Sequence, residues 1–282
     1  MTTSGPPDLT VGQALRQATQ FLSEHGFGDA RRTAEDLLCR ALNKERGFLY
    51  SHPEAPLSTN AWIHFGRWLH ERTQGKPLQY ILREQEFYGR VFSVNSSVLI
   101  PRPETELLVE QALKSPGERI LDIGTGSGIL AITLALELNV TAYATDFSPA
   151  ALRVAQANAM RLGAPVRFIQ TDLGGGFAEG AFDLIVTNPP YVPAGDGPWL
   201  QREVRDWEPK EALFSGADGL DHYRRLEPEC RRLLRPGGRL LGEFGFGQSP
   251  ALRTLFADWA EVTIHEDLAR IDRILDCRRT VD

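Results

Sequence analysis

Cysteine is scarce in this chain of 282 residues, and the three that occur lie far apart at Cys39, Cys230 and Cys277. No pair has the CxxC spacing that is typical of zinc sites and redox motifs, and thiols this few and this dispersed argue against a disulfide-stabilised fold. We therefore interpret them as buried or incidental thiols in a reducing compartment.

Long apolar runs and clusters of positive charge are also missing. No stretch reaches the ~20 apolar residues that a membrane-spanning helix needs, and residues 1–10 lack the basic and apolar regions of a secretion signal. The net charge is −6, which argues against broad electrostatic attraction to nucleic acid, although a local basic patch is compatible with it. We expect a cytoplasmic protein with no membrane and no direct nucleic-acid partner.

The N-terminal part, residues 1–75, has the periodicity of amphipathic helices. Apolar residues recur at helical spacing over residues 11–25, 30–42 and 59–72. We interpret this part as a helical domain for substrate docking. Its histidines fit no metal-ligand spacing, so no metal is expected.

Residues 76–98 interrupt the helical pattern. Two segments there, residues 78–81 and 86–95, are rich in Tyr, Phe and Val and favour short strands. We predict a β-hairpin linker over residues 76–98, which joins the helical domain to a second domain over residues 99–282. Near the start of that domain, Arg102 precedes a predicted helix; it is either an ordinary surface arginine or a residue that holds a loop beside the cofactor.

A glycine loop follows a short apolar strand predicted at residues 119–123. It reads Gly124-Thr125-Gly126-Ser127-Gly128 and precedes an amphipathic helix. Because glycine has no side chain, a loop of this kind between strand and helix lets the backbone approach a bound nucleotide. The spacing GxGxG departs from the GxGxxG of dinucleotide sites and favours a nucleoside cofactor without phosphates.

Distinctive residues also follow the next three predicted strands. Asp146 ends the second strand, where a carboxylate accepts hydrogen bonds from both hydroxyls of a ribose. Asp172 and Leu173 follow the third strand and are placed to meet the amino edge and the face of an adenine. The fourth strand, residues 182–187, ends at Asn188. Ligands of open parallel sheets bind at the carboxyl ends of the strands, so these residues predict one site.

The fourth strand ends in Asn188-Pro189-Pro190-Tyr191. Prolines donate no backbone hydrogen bond, so the strand stops there. The Asn188 amide and the Asn188 and Pro189 carbonyls supply acceptors for the two hydrogens of a planar NH₂ group, and the Tyr191 ring can lie against its flat face. The alternative is a proline-terminated loop after a core strand.

These motifs resemble class I S-adenosylmethionine-dependent methyltransferases that modify planar amino groups. More narrowly, the chain resembles the HemK family of peptide chain release factor glutamine methyltransferases over nearly its whole length. The residues that carry the narrower resemblance are Ile-Pro-Arg-Pro-Glu-Thr-Glu at 100–106, Val-Arg-Asp-Trp-Glu-Pro at 204–209, Ala212-Leu213 and Gly-Leu-Asp at 219–221. One departure is Leu173, where some relatives have an aromatic residue, so adenine stacking is expected to be weaker.

The resemblance implies an α/β fold with a Rossmann-like, seven-stranded mixed sheet, and S-adenosylmethionine as the cofactor. It implies a monomer whose acceptor is the glutamine in the Gly-Gly-Gln loop of class I release factors. The residues implied are Asn188, Pro189 and Tyr191 for catalysis; Gly124, Thr125, Gly126, Ser127, Gly128, Asp146, Asp172, Leu173 and Asn188 for the cofactor; and Asn188, Pro189, Pro190, Tyr191 and Arg102 for the substrate.

Three alternatives share parts of this pattern. A sibling enzyme that methylates a glutamine of a ribosomal protein would have the same catalytic half. An adenine-N6 or cytosine-N4 nucleic-acid methyltransferase would share the Asn-Pro-Pro-Tyr motif but is expected to carry a basic recognition region. A non-enzymatic binding module is disfavoured by the intact Asn188 and Asp146. Two further aspartates are interpreted as structural: Asp122 as ordering the glycine loop, and Asp183 as facing a helix edge.

Overall fold

The computed structural model describes residues 9–281. The chain divides into two compact units, one ending at Arg83 and the other beginning at Glu84. Between residues 9 and 281, no helix combines the length and the apolar character that crossing a membrane requires. The docking role predicted for the N-terminal unit stays a prediction.

The N-terminal unit is helical. Its first helix begins with a capping box, in which Thr10 and Gln13 exchange side-chain and backbone hydrogen bonds. The apolar faces of the helices share one core, in which Leu37 and Phe65 are fully buried. The helices are α1 (Val11–Glu24), α2 (Ala30–Leu42), α3 (Arg46–Ser51), α4 (Thr59–Thr73) and α5 (Leu78–Leu82).

The prediction of a strand at residues 78–81 is wrong, because this segment forms helix α5. Leu78, Ile81 and Leu82 stand at i, i+3 and i+4 and all pack against the helical core. Burial of one helical face therefore outweighs the strand preference of Tyr and Ile in so short a segment.

The second unit opens with an antiparallel hairpin of β1 (Glu84–Phe87) and β2 (Arg90–Ser93). A seven-stranded sheet follows, in the order β5-β4-β3-β6-β7-β9-β8. Its strands are β3 (Ile120–Ile123), β4 (Ala142–Asp146), β5 (Val166–Gln170), β6 (Phe182–Thr187), β7 (Leu234–Glu243), β8 (Glu261–Glu266) and β9 (Asp272–Arg278). The helices are α6 (Glu106–Lys114), α7 (Ile129–Leu138), α8 (Pro149–Leu162), α9 (Arg202–Trp207), α10 (Asp221–Leu233) and α11 (Ser249–Leu255).

The strand order explains where a site forms. Strands β5, β4, β3, β6 and β7 are parallel, and β9 runs antiparallel to both of its neighbours. One apolar cluster contains Val186 and another contains Ile185, successive residues of β6, so this strand is covered on both faces. The order of the strands reverses between β3 and β6, and a crevice opens at such a point. The predicted α/β class with a seven-stranded mixed sheet is confirmed.

Candidate active site

A cavity of about 420 Å³ lies at the carboxyl ends of the parallel strands. Residues that end or follow β3, β4, β5 and β6 all line it, and its volume is within the range of small-molecule sites. The predicted residues that line it are Gly124, Gly126, Asp146, Asp172, Leu173, Asn188, Pro189 and Pro190. The remaining ones, Thr125, Ser127, Gly128, Tyr191 and Arg102, are not among the residues described as lining it.

The glycine loop presents open space on one side and close packing on the other. Gly124, Gly126 and Gly128 have φ angles of 73°, 56° and 87°, in the region that favours glycine. A Cβ added at Gly124 or Gly126 would meet nothing within 4 Å, so a ligand has room beside the backbone. A Cβ at Gly128 would lie 2.7 Å from Ile132 Cδ1 and 3.1 Å from Ala155 Cβ, so this glycine permits the close approach of helix α8.

Asp146 connects the end of β4 to the glycine loop. Its Oδ2 accepts a hydrogen bond from the backbone N–H of Gly126 at 2.9 Å, and its Oδ1 accepts one from Ser148 at 2.9 Å. Burial raises the pKa of this carboxyl, while these two N–H donors act in the opposite direction. Because a carboxylate oxygen has two lone pairs, each oxygen can still accept a hydroxyl of a ligand.

Beyond β5, the cavity is lined by Asp172 and Leu173. The Asp172 side chain is two-thirds exposed and forms an ion pair with Arg225, and Leu173 has the unusual φ of 52° for a non-glycine residue. His222 at the start of α10 also lines the cavity, and the sequence did not single it out. The available signal was its position directly after the Gly-Leu-Asp motif.

Asn188 follows β6 and lines the same cavity. Its Nδ2 donates to Thr105 Oγ1 at 3.2 Å, whereas its Oδ1 is buried and has no hydrogen-bond partner among the described residues. Within the same residues, no backbone N–H donates to the Pro189 carbonyl. Leaving a buried acceptor unpaired costs about 1–3 kcal/mol, so Asn188 is poised to gain from a donor supplied by a ligand.

Tyr191 takes part in a buried network instead of lining the cavity. Its hydroxyl donates to Glu243 Oε1 at 3.1 Å, and Thr105 Oγ1 donates to Glu243 Oε2 at 2.6 Å. Burial raises the pKa of Glu243 and also that of Tyr191, so the phenol stays protonated. The predicted packing of Tyr191 on a substrate amide stays a prediction.

Comparison with known proteins identifies the family. The model of the PrmC N-terminal domain matches residues 13–82, and that of the methyltransferase small domain matches residues 101–197. The release factor glutamine methyltransferase of Koribacter versatilis is 41% identical, over 96% of this chain and 99% of that protein. The chain belongs to the release factor glutamine methyltransferase family. The protein of the same name from Geobacter sulfurreducens is 39% identical, over 98% of this chain and 99% of the relative.

A solved methyltransferase structure from Pyrococcus furiosus shares the fold. It covers 69% of this chain and 91% of its own, with a TM-score of 0.52 and 19% identity. The two family models and the relatives from Koribacter versatilis and Geobacter sulfurreducens confirm, at the level of the family, the resemblance to release factor glutamine methyltransferases noted from the motifs, and the chain is a methyltransferase that uses S-adenosylmethionine.

The residues of the cavity fit this cofactor. The open space beside Gly124 and Gly126 suits a nucleoside, and the oxygens of Asp146 suit its ribose hydroxyls. No phosphate-binding pattern is needed, in agreement with the GxGxG spacing. Among residues 9–281, no group of His, Cys, Asp and Glu side chains is arranged to hold a metal ion.

Asp122 orders the glycine loop of this methyltransferase, as predicted. Its Oδ2 accepts from Thr125 Oγ1 at 2.6 Å and from the Ala131 N–H at 3.1 Å. The residue is 1% exposed, and no partner for Oδ1 occurs in the described part of the chain. Burial raises the pKa of this carboxyl from 3.8 to about 7.

The raised pKa of Asp122 predicts a pH dependence of stability. Between pH 3.8 and about 7 the folded state binds a proton that the unfolded state has lost. The free energy of unfolding therefore falls as the pH rises through this window, by up to about 4 kcal/mol from this group alone. An Asp122→Asn variant removes this titration. We expect the variant minus wild-type difference, measured by urea unfolding between pH 4 and pH 8, to move in favour of the variant as the pH rises. Parallel curves would contradict this assignment.

Arg102 forms an ion pair with Glu208 and is not among the described residues that line the cavity. Its guanidinium donates to Glu208 Oε1 at 2.5 Å, and Glu208 Oε2 accepts from the Ile100 N–H at 3.1 Å. The Glu208 side chain is 1% exposed, and burial raises its pKa even with Arg102 beside it. This pair attaches the segment after the Asn-Pro-Pro-Tyr motif to the segment before α6. A direct contact between Arg102 and substrate stays a prediction.

Proposed function

We propose that this enzyme transfers a methyl group from S-adenosylmethionine to the side-chain amide nitrogen of the glutamine in the Gly-Gly-Gln loop of class I release factors. The observation that carries the proposal is Asn188, whose Oδ1 is buried and unpaired and which stands in the wall of the cofactor cavity. Membership of the release factor glutamine methyltransferase family supports the identity of the acceptor.

The side-chain amide nitrogen of the glutamine, which accepts the methyl group, is a poor nucleophile. The lone pair of an amide nitrogen is delocalised into its carbonyl, and no side chain in the site is basic enough to remove an N–H proton first. Catalysis must therefore come from positioning, which can contribute roughly 7–11 kcal/mol when reacting atoms are held in line at ~3–3.5 Å. When bound, S-adenosylmethionine supplies a methyl group on a positively charged sulfur.

The chain supplies two acceptors for the substrate amide. Asn188 Oδ1 accepts one N–H and the Pro189 carbonyl accepts the other, so the nitrogen is drawn toward tetrahedral geometry and its lone pair becomes available. The nitrogen would gain one N–C bond as the methyl–sulfur bond of the cofactor broke with its electron pair left on sulfur, and the surplus N–H proton would pass to solvent, because neutral amide oxygens hold it only as hydrogen-bond acceptors. Pro190 lines the cavity beside these acceptors, Tyr191 holds the end of the motif through its hydrogen bond to Glu243, and Arg102 steadies the neighbouring segment through Glu208.

The substrate also implies a setting and partners. Release factors act in translation, so we place the enzyme in the cytoplasm, working as a monomer without direct contact with nucleic acid. The acidic net charge of −6 supports the last point, because a nucleic-acid methyltransferase is expected to present a basic face.

Labelling with radioactive S-adenosylmethionine tests this function. The substrates offered are a purified release factor, the same factor with its loop glutamine changed to alanine, ribosomal proteins and DNA. We expect label only on the unaltered release factor, and tandem mass spectrometry to find the methyl group on the glutamine side chain. Label on DNA, on ribosomal proteins alone, or undiminished label on the altered factor would contradict the proposal.

A further inference from the structure

A buried chain of hydrogen bonds joins Asn188 to Glu243, the last residue of β7. Asn188 Nδ2 lies 3.2 Å from Thr105 Oγ1, which lies 2.6 Å from Glu243 Oε2. Thr105 is fully buried and Glu243 is 2% exposed, so bulk water offers neither of them an alternative partner. The three residues come from three separate parts of the sequence and meet only in the folded unit.

The direction of each bond follows from the number of hydrogens available. A threonine hydroxyl has one hydrogen, and Thr105 donates it to Glu243. The Tyr191 hydroxyl donates to the other oxygen of Glu243, so both oxygens of this carboxyl accept hydrogen bonds, and these two donors oppose the rise that burial gives to its pKa. Toward Asn188, Thr105 Oγ1 can then only accept, so the amide must turn its NH₂ group to Thr105. The opposite orientation would set two acceptors against each other.

We propose that Thr105 and Glu243 are positioning residues, which fix the Asn188 amide in the one orientation that leaves Oδ1 available to the substrate. This inference rests on the proposed function, in which Oδ1 accepts an N–H of the glutamine. Neither residue is among the described residues that line the cavity, so both act through Asn188. If the Asn188 amide were reversed, its NH₂ group would face the NH₂ group of the glutamine, and the hydrogen bond between the two side chains would be lost.

Replacement of Thr105 by valine tests the proposal, because valine keeps the shape and removes the hydroxyl. We expect Thr105→Val to lower kcat about 10- to 100-fold. We also expect it to leave the KM for release factor and the Kd for cofactor within about twofold. Thr105→Ser restores the hydroxyl and is expected to restore kcat. The matched control is Thr133→Val in α7, since Thr133 is equally buried and its Oγ1 has no partner among the described residues; its kcat is expected to stay at the wild-type value.

A kcat for Thr105→Val within about twofold of wild type would overturn the inference. The inference would also be overturned if Thr105→Ser failed to restore kcat, or if Thr133→Val lowered kcat as much as Thr105→Val does. It would likewise be overturned if Thr105→Val weakened cofactor binding by the same factor by which it lowered kcat.

Neutron diffraction from crystals of the wild-type chain determines the orientation of the Asn188 amide directly, even if the valine variant does not fold. It distinguishes the deuterated nitrogen of the Asn188 amide from its oxygen. We expect the nitrogen to face Thr105; the oxygen there would overturn the proposal. This measurement needs no release factor, so failure of the wild-type enzyme to label release factor would reject the proposed function and leave the amide orientation to be judged separately.

Discussion

Asn188→Ala is expected to lower kcat for release factor methylation about 10²–10³-fold, the loss seen when one positioned hydrogen-bonding group is removed from an active site. The physical reason is that the substrate NH₂ loses its side-chain acceptor, while the cofactor keeps Asp146 and the glycine loop. The Kd for cofactor, measured by calorimetry, is therefore expected to change less than about tenfold.

The control for this variant is Asn60→Ala, the same truncation at an exposed position of α4. It is expected to match the wild type in kcat and in Kd for cofactor. Thermal unfolding of both variants checks that any lost activity does not come from lost folding. Comparable losses of kcat and of cofactor affinity in Asn188→Ala would show that Asn188 is a cofactor ligand and would remove its proposed role toward the substrate.

Asp146→Ala is expected to have the reverse profile, with a weakened cofactor Kd and little change in kcat at saturating cofactor. The carboxylate accepts backbone N–H bonds from Gly126 and Ser148, and the proposed site adds hydroxyl groups of the cofactor. Hydrogen bonds to a charged group contribute about 1.5–3 kcal/mol each, so losing two of them predicts a rise in Kd of roughly hundredfold or more.

Asp258→Ala provides the matched control, because Asp258 is exposed and lies outside the cavity lining that the structure describes. Its cofactor Kd is expected to equal that of the wild type. An unchanged Kd in Asp146→Ala, or a loss of kcat that saturating cofactor leaves in place, would contradict the assignment of Asp146 to cofactor binding.

The parts of the site that follow from local sequence could be predicted. The glycine loop could be predicted from Gly124, Gly126 and Gly128 alone, because glycine adopts the φ angles found there without strain. Asp146 and Asn188 were predicted since each ends a strand of a parallel sheet, and the carboxyl ends of such strands share one edge. The end of β6 was equally clear, because two prolines cannot continue a strand.

The parts that depend on contacts between distant residues were not predicted. Thr105 and Glu243 meet through packing between the start of α6 and the end of β7, and no spacing in the sequence marks that contact. Tyr191 follows two prolines, from which its ring could turn either to the cavity or to Glu243; only the folded unit decides. Helix α5 was missed because five residues carry too little periodicity to separate a helix from a strand.

A crystal structure of the enzyme with the demethylated cofactor and a release factor would test most directly whether Asn188 and Pro189 accept the two N–H bonds of the glutamine side chain. We expect the glutamine side-chain nitrogen within ~2.7–3.2 Å of both Asn188 Oδ1 and the Pro189 carbonyl oxygen. A glutamine whose carbonyl oxygen faces Asn188, or whose nitrogen lies beyond hydrogen-bonding distance of both acceptors, would contradict it.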